Sequence, residues 1–261
     1  KKPFDQGTLE KLEIFEGYLK TWLPVFIHSY YKKINICDFF AGTGFDLLQI
    51  PGSPVRILKT IQEFESSIIE KNLKIRIILN EYDAEKFLKL KSCFEDELSK
   101  LNKLAGHITV DYYNEDFKKL FETVKDEIKN SPNLIFFDQN GIKQVTKELI
   151  LELENFTTTD FLFFISSSYF ARFGEEFKKH FPEIDFDELK KTEFKDIHRT
   201  VLEIFKNYLP ANSKTRLYPF TIRKESNIFG KIVIMSNCIA LRRLRWAIFL
   251  SWALVFPKPL A

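Results

Sequence analysis

Residues 35–54, NICDFFAGTGFDLLQIPGSP, decide the fold. The stretch enters as a buried strand and passes through two glycines, Gly42 and Gly44. It then stays out of helix for nearly ten residues, until Ser53 and Pro54 restart one. Glycine supplies turn conformations closed to other residues and lets backbone approach a ligand closely. A strand that leads through such a turn into a helix is one unit of a parallel α/β sheet.

The units on either side repeat the pattern. KINICDFF (33–40) is an uninterrupted apolar run, as a strand buried on both faces requires. In residues 53–71, Ile57, Ile61, Phe64 and Ile68 recur at helical spacing, with Ser53 as cap and Pro54 in the first turn. The alternation continues with a strand over 74–83, a helix over 84–101, a strand over 107–113 and a helix over 115–128. A strand over 132–141, a helix over 144–156 and a strand over 160–168 complete it. Short right-handed crossovers leave few topologies for five such strands.

The end of the chain departs from this rhythm. Residues 184–209 read as a helical insert, and RLYPFTIRK and GKIVIMSN then follow as two strands joined by ESNIF. So short a link makes a hairpin. The expected fold is a doubly wound, mostly parallel seven-stranded sheet ending in an antiparallel hairpin. An N-terminal helical segment (1–32) precedes it and a terminal helix begins near Ile239, all within a single domain.

Composition sets limits. The 261 residues are 45% hydrophobic and 15% aromatic, enough for a full core. From Leu209 onward there are nine basic residues against one acid, Glu225, a balance of +8 that leaves −5 for the rest. Such asymmetry fits a polyanion-binding surface, and equally a solvated basic face. Cys37, Cys93 and Cys238 form no CxxC pair, which indicates neither a disulfide framework nor a zinc site and fits a reducing, cytoplasmic setting. The N-terminus KKPFDQGTLEKLE has no apolar signal core, and WAIFLSWALVF (246–256) is about half the ~20 residues of a spanning helix. The four histidines have no metal-ligand spacing, and SSS (166–168) lacks the G-x-S-x-G elbow of a hydrolase.

In an open α/β sheet, ligands bind beyond the carboxyl ends of the strands. The first strand exits at Asp38, Phe39, Phe40, Ala41, Gly42, Thr43 and Gly44. The second exits at Asn80, Glu81, Tyr82 and Asp83, the third at Asn114, Glu115 and Asp116, and the fourth at Asp138, Gln139, Asn140 and Gly141. A carboxylate offers two acceptor oxygens, so one at the second exit suits a ribose diol; Glu81 is the candidate and Asp83 the reserve. Each acid alone is more often a helix cap or a solvated charge. Three at successive strand ends after a glycine turn are a stronger signal. No cysteine stands at the fourth exit to serve as a thiolate nucleophile.

The D-x-F-x-G-x-G turn resembles motif I of class I S-adenosylmethionine-dependent methyltransferases, above all the amino- and cytosine-methylating groups. The resemblance implies that Phe40, Gly42 and Gly44 pack on the methionine portion of S-adenosylmethionine and that Asp38 orients the turn or the amino group. It also implies that Asp116 accepts from the adenine amine and that Asp138 positions the methyl acceptor. Together LEKLEIFEGYLKTWLPVF, DFFAGTG, PGSP, LNEYD and LIFFDQNGIK resemble the three-Cys-motif partner protein family over roughly residues 8–173. That family begins with a K-H-x-x-L-x-x-Y-L-x-x-W-x-P helix, and later carries G-S-P and F-x-D-P-x-G. The loop 45–52 then lies over the cofactor pocket, with Gly52 and Ser53 restarting the helix. The implied companion is a three-cysteine-motif protein resembling radical S-adenosylmethionine enzymes.

This chain departs from the pattern twice: Leu12 stands for the histidine, and Gln139-Asn140 for the Pro-aromatic pair. Arg172 matches a family arginine and could meet a carboxylate or phosphate, or pair with Glu175 or Glu176. Arg242 and Arg245 could meet nucleic acid, pair with acids elsewhere in the chain, or bind the partner protein. The leading expectation is a methyltransferase-like protein acting on a nucleic acid or nucleobase. The alternative is a non-catalytic module of the same fold that binds its partner. A nicotinamide-dependent Rossmann enzyme fits poorly, because G-x-G-x-x-G would need glycine at Leu47.

Overall fold

The computed structural model describes residues 2–138, 144–156, 158–166, 197–224 and 227–237. The order of elements is α1 (Gln6–Ile27), β1 (Lys33–Asp38), α2 (Ser53–Glu63), α3 (Glu65–Lys71), β2 (Lys74–Asn80), α4 (Ala84–Leu98), β3 (Ile108–Tyr113), α5 (Phe117–Ile128), β4 (Pro132–Phe137), α6 (Lys147–Glu154), β5 (Thr158–Ser166), α7 (Ile197–Tyr208), β6 (Arg216–Lys224) and β7 (Asn227–Ser236). One seven-stranded sheet runs in the order β3-β2-β1-β4-β5-β7-β6. β1 to β5 are parallel, while β7 lies antiparallel between β5 and β6. This is the expected doubly wound, mostly parallel seven-stranded sheet ending in an antiparallel hairpin, with the strand order running outward in opposite directions from β1 and β4.

Side chains alternate across a strand, and here both faces are covered. Ile34, Ile36, Leu134, Phe136, Leu162 and Phe164 point to the layer that holds α1 and α2. Cys37, Ile135, Phe137, Phe161 and Phe163 point to the layer that holds α5, α6 and α7. Cys37 is thus a packed core residue, and burial pushes its thiol up to about 12. α1 begins where the Asp5 carboxylate accepts from the Thr8 N–H at 2.9 Å. It buries Phe15, Leu19, Trp22, Leu23 and Phe26, with Phe15 stacked on Phe136 at 4.3 Å. At about 1.5–3 kcal/mol per large side chain, that face stabilises by on the order of 10 kcal/mol.

Three details differ from the sequence reading. The helix expected over 53–71 breaks at Phe64, whose φ of −106° and ψ of 14° end α2 and begin α3. Gly52, not Ser53, occupies the cap position of α2, and no side chain caps it. The second hairpin strand starts at Asn227, so ESNIF is mostly strand rather than link. The helical insert is described only from Ile197, and the terminal helix expected after Ile239 lies outside the described residues. Among the described residues, no helix is long and apolar enough to cross a membrane.

α1 is fastened to the sheet by a buried carboxyl as well as by its apolar face. The Tyr18 hydroxyl donates to the Asp160 carboxylate at 3.1 Å, where Asp160 is fully buried on β5. Burial pushes this carboxyl up to about 7; Ser236, Tyr18 and Trp22 pull it part of the way back. An unfolded aspartate titrates near 3.9, so the folded protein holds the extra proton between about pH 4 and 7. The stabilisation is complete below pH ~4 and is lost as pH rises through about 7. Asp160→Asn should therefore flatten the fall in stability from pH 5 to 8, read by urea unfolding at each pH. A slope equal to that of the parent protein would contradict it.

Candidate functional site

The carboxyl ends of β1, β2 and β3 are stitched together by one side chain. Asn80, 1% exposed at the end of β2, donates from Nδ2 to the carbonyls of Phe39 and Glu115, both at 3.1 Å. Its Oδ1 accepts from the Glu115 N–H at 3.1 Å. The Asn80 carbonyl in turn accepts from the Ala41 N–H at 2.9 Å. The turn after β1 is therefore set against the neighbouring strand ends before any ligand is considered.

Within the turn, Gly42 and Gly44 have φ of 69° and 85°, which side-chain-bearing residues rarely adopt. A Cβ on Gly44 would also fall 2.5 Å from the Cys93 sulfur of α4, whereas one on Gly42 would meet nothing within 4 Å. Gly42 thus turns an open face outward. Its N–H donates to Glu81 Oε2 at 3.0 Å, and the Asp83 N–H donates to Glu81 Oε1 at 3.0 Å. Glu81 ties the glycine turn to the start of α4.

Asp38 is fully buried beneath this turn and accepts from the Phe40 N–H at 3.2 Å. Burial pushes it up to about 7; Ser53 and the Phe40 N–H draw it down, and the charges of Asp138 and Glu81 raise it. Its Oδ2 has no hydrogen-bond partner among the described residues.

The loop 45–52 is a closed structure. Asp46, 2% exposed, accepts from the N–H groups of Leu48 and Ile50 through Oδ1, and from Phe4 through Oδ2, each at 2.8 Å. Phe45 bridges Pro51, and the Gly52 N–H donates to the Gly44 carbonyl at 2.7 Å. The loop therefore does two jobs: it returns the chain to α2, and it holds the N-terminal segment beside the turn.

These pieces enclose a cavity of about 360 Å³. Phe40, Gly42, Gly44, Gly52 and Ser53 line one wall, Phe4, Thr8 and Leu12 of the N-terminal segment another, and Asp138 and Asp83 also face it. Asp138, at the exit of β4, is held by an ion pair from Lys11 of α1. A wider groove of about 630 Å³ lies across the loop, against α4, and shares Thr43, Phe45, Glu85 and Lys89 with the cavity but neither Asp138 nor Gly42.

Of the sequence candidates, Phe40, Gly42, Gly44, Gly52, Ser53 and Asp138 come together at the cavity. Asp38 supports it from below, and Glu81 fixes its turn. Asp83 caps α4 through the Lys86 N–H at 3.0 Å. Asp116 caps α5 by accepting from the Lys118 and Lys119 N–H groups, and does not line this cavity. Arg172, Arg242, Arg245, Gln139 and Asn140 lie outside the described residues. Sequence reading missed Lys11, Asn80 and Asp46. Lys11 had a signal: it lies four residues before Phe15 and seven before Tyr18, on the buried face of α1. Among the described residues, no group of three or more His, Cys, Asp or Glu side chains could hold a metal ion.

No family model matches the sequence, and no curated protein does. Solved structures with a similar course include the O-methyltransferase TomG from Streptomyces achromogenes, in complex with SAM. It is 10% identical over 90% of this chain and 91% of that one, with a TM-score of 0.44. An O-methyltransferase from Bacillus cereus in complex with SAH is 12% identical over 90% and 92%, with a TM-score of 0.44. SCL7 of Oryza sativa is 10% identical over 86% and 79%, with a TM-score of 0.45.

Removing the Asn80 carboxamide would strand two carbonyls and one N–H, each costing about 1–3 kcal/mol where water cannot replace it. Asn80→Ala should lower unfolding stability by on the order of 2 kcal/mol or more, read from urea titration. A change under about 0.5 kcal/mol would show that the strand ends hold without it.

Proposed function

We propose that the cavity and its glycine turn bind S-adenosylmethionine, and that the protein is methyltransferase-like, with a nucleobase or nucleic acid as acceptor and a three-cysteine-motif protein as partner. One observation carries the reading. The turn after β1, with both glycines at positive φ, is tied to an acid at the β2 exit and opens into a cavity that the β4 acid also lines.

The residues fit the cofactor on three counts. Gly42 presents an open backbone face where a side chain would intrude. The buried Asp38 Oδ2, unpartnered among the described residues, can accept from an ammonium group or keep its own proton. Each Glu81 carboxylate oxygen accepts one backbone N–H, from Gly42 and from Asp83, and keeps a further lone pair for ribose hydroxyls. Bound here, the cofactor supplies an electrophilic methyl on a sulfonium sulfur. An acceptor held there would supply its lone pair to the methyl carbon, sulfur would keep the S–C electron pair, and the acceptor's proton would pass to solvent. Asp138 orients the acceptor, and placement within ~3–3.5 Å does most of the catalytic work.

The basic balance of +8 after Leu209 supports a polyanionic acceptor. A second reading, a module that keeps the fold only to bind its partner, is favoured by Leu12, whose aliphatic chain lines the cavity where the family pattern has an imidazole. Transfer of a labelled methyl group into RNA or DNA separates the two; label that stays in the cofactor favours the module.

Calorimetry with S-adenosylmethionine and S-adenosylhomocysteine should show micromolar binding, about −8 kcal/mol. Glu81→Ala should weaken it at least about tenfold, since a charge-assisted hydrogen bond contributes about 1.5–3 kcal/mol. No binding up to millimolar ligand would overturn the reading.

A further inference from the structure

Lys11 is an unusual residue on α1. It is 9% exposed on a helix face otherwise given to Phe15, Leu19 and Trp22. Its ammonium group pairs with Asp138 Oδ1 and stands 4.8 Å from the centroid of the Phe164 ring on β5. A lysine so deeply placed is costly unless its charge is met, and here a carboxylate and an aromatic face meet it. The Asp138 Oδ2 accepts no hydrogen bond from the described residues, and Asp138 lines the cavity. The two residues that follow Asp138 are Gln139 and Asn140, so no proline stiffens the backbone there.

We propose that Lys11 is the positioning residue for Asp138: by holding Oδ1 it leaves Oδ2 as the acceptor facing the cavity, so the site takes methyl acceptors that present an N–H or O–H. This rests on the cofactor reading above and names the chemistry of its acceptor. A neutral exocyclic amine or a hydroxyl donates to Oδ2 while its lone pair stays available. A carboxylate or phosphate oxygen brings no proton and meets the Asp138 charge directly. The ammonium group does not offset this, because Lys11 is already committed to Asp138 and Phe164.

The test compares S-adenosylhomocysteine with sinefungin, which carries a primary amine at the place of the transferred methyl. The amine should donate to Asp138 Oδ2, and sinefungin should bind at least about tenfold tighter. Lys11→Met should reduce that margin to within about threefold, with affinity for S-adenosylhomocysteine unchanged, and Lys11→Arg should restore it. A purely structural role would shift both ligands together. An analogue bearing a carboxylate in place of the amine should bind more weakly than S-adenosylhomocysteine.

A variant-free measurement covers the case in which Lys11→Met does not fold. The Lys11 Nζ signal of ¹⁵N-lysine-labelled protein should move on adding sinefungin and stay on adding S-adenosylhomocysteine. An unchanged margin in folded Lys11→Met, equal affinities in the parent protein, tighter binding of the carboxylate analogue, or identical Nζ responses would each overturn the proposal. If S-adenosylhomocysteine itself does not bind, it is the cofactor reading that fails.

Discussion

The carboxamide of Asn80 is the interaction on which the site depends. Parallel strands buried on both faces cannot display polar chemistry along their length, so function is confined to their ends. Those ends are loops, and loops need something to fix them. Asn80 does so from the last position of β2, donating to the backbone at the exits of β1 and β3. The glycine turn, Glu81 and the start of α5 are therefore parts of one rigid edge. A net hydrogen bond contributes only about 1 kcal/mol, but leaving these groups unmet would cost several times that.

Charge is distributed with the same economy. Two fully buried carboxyls, Asp38 and Asp160, are pushed up to about 7 by desolvation. Asp160 receives the Tyr18 hydroxyl and fastens α1, while Asp38 receives the Phe40 N–H and shapes the turn. Lys11 and Asp138 form a third, part-buried feature, joining the same helix to the exit of β4. The Phe4 N–H on Asp46 adds a fourth tie at the N-terminal end. α1 is consequently both a core helix and one wall of the cavity. The area it buries outweighs any single polar contact, which leaves the polar contacts to set its position along the sheet.

The fold was legible because it rests on periodicity. Continuous apolar strands, helices spaced by three and four, and a short link before the last strand left few arrangements. Helix boundaries were less so: nothing in the apolar spacing of 53–71 marks the break at Phe64. At the site, the glycines were legible because positive φ restricts residue choice. The acids were found, but not their duties, since one carboxylate serves equally as a cap, a loop anchor or a ligand. Asp116 and Asp83 cap helices, and Asp46, which anchors the loop, was passed over. Asn80 and Lys11 act across 35 and 127 residues of chain, so that spacing, which places Lys11 on the buried face of α1, does not name the partner of either.

The central claim is that one cavity, between the turn after β1 and the exit of β4, is the cofactor site. A crystal structure with S-adenosylhomocysteine tests it most directly. The methionine portion should lie against Gly42 and Gly44, the ribose hydroxyls on Glu81, and the sulfur on the side that faces Asp138. Density for the ligand in the groove along α4 instead, with the glycine turn bare, would contradict it.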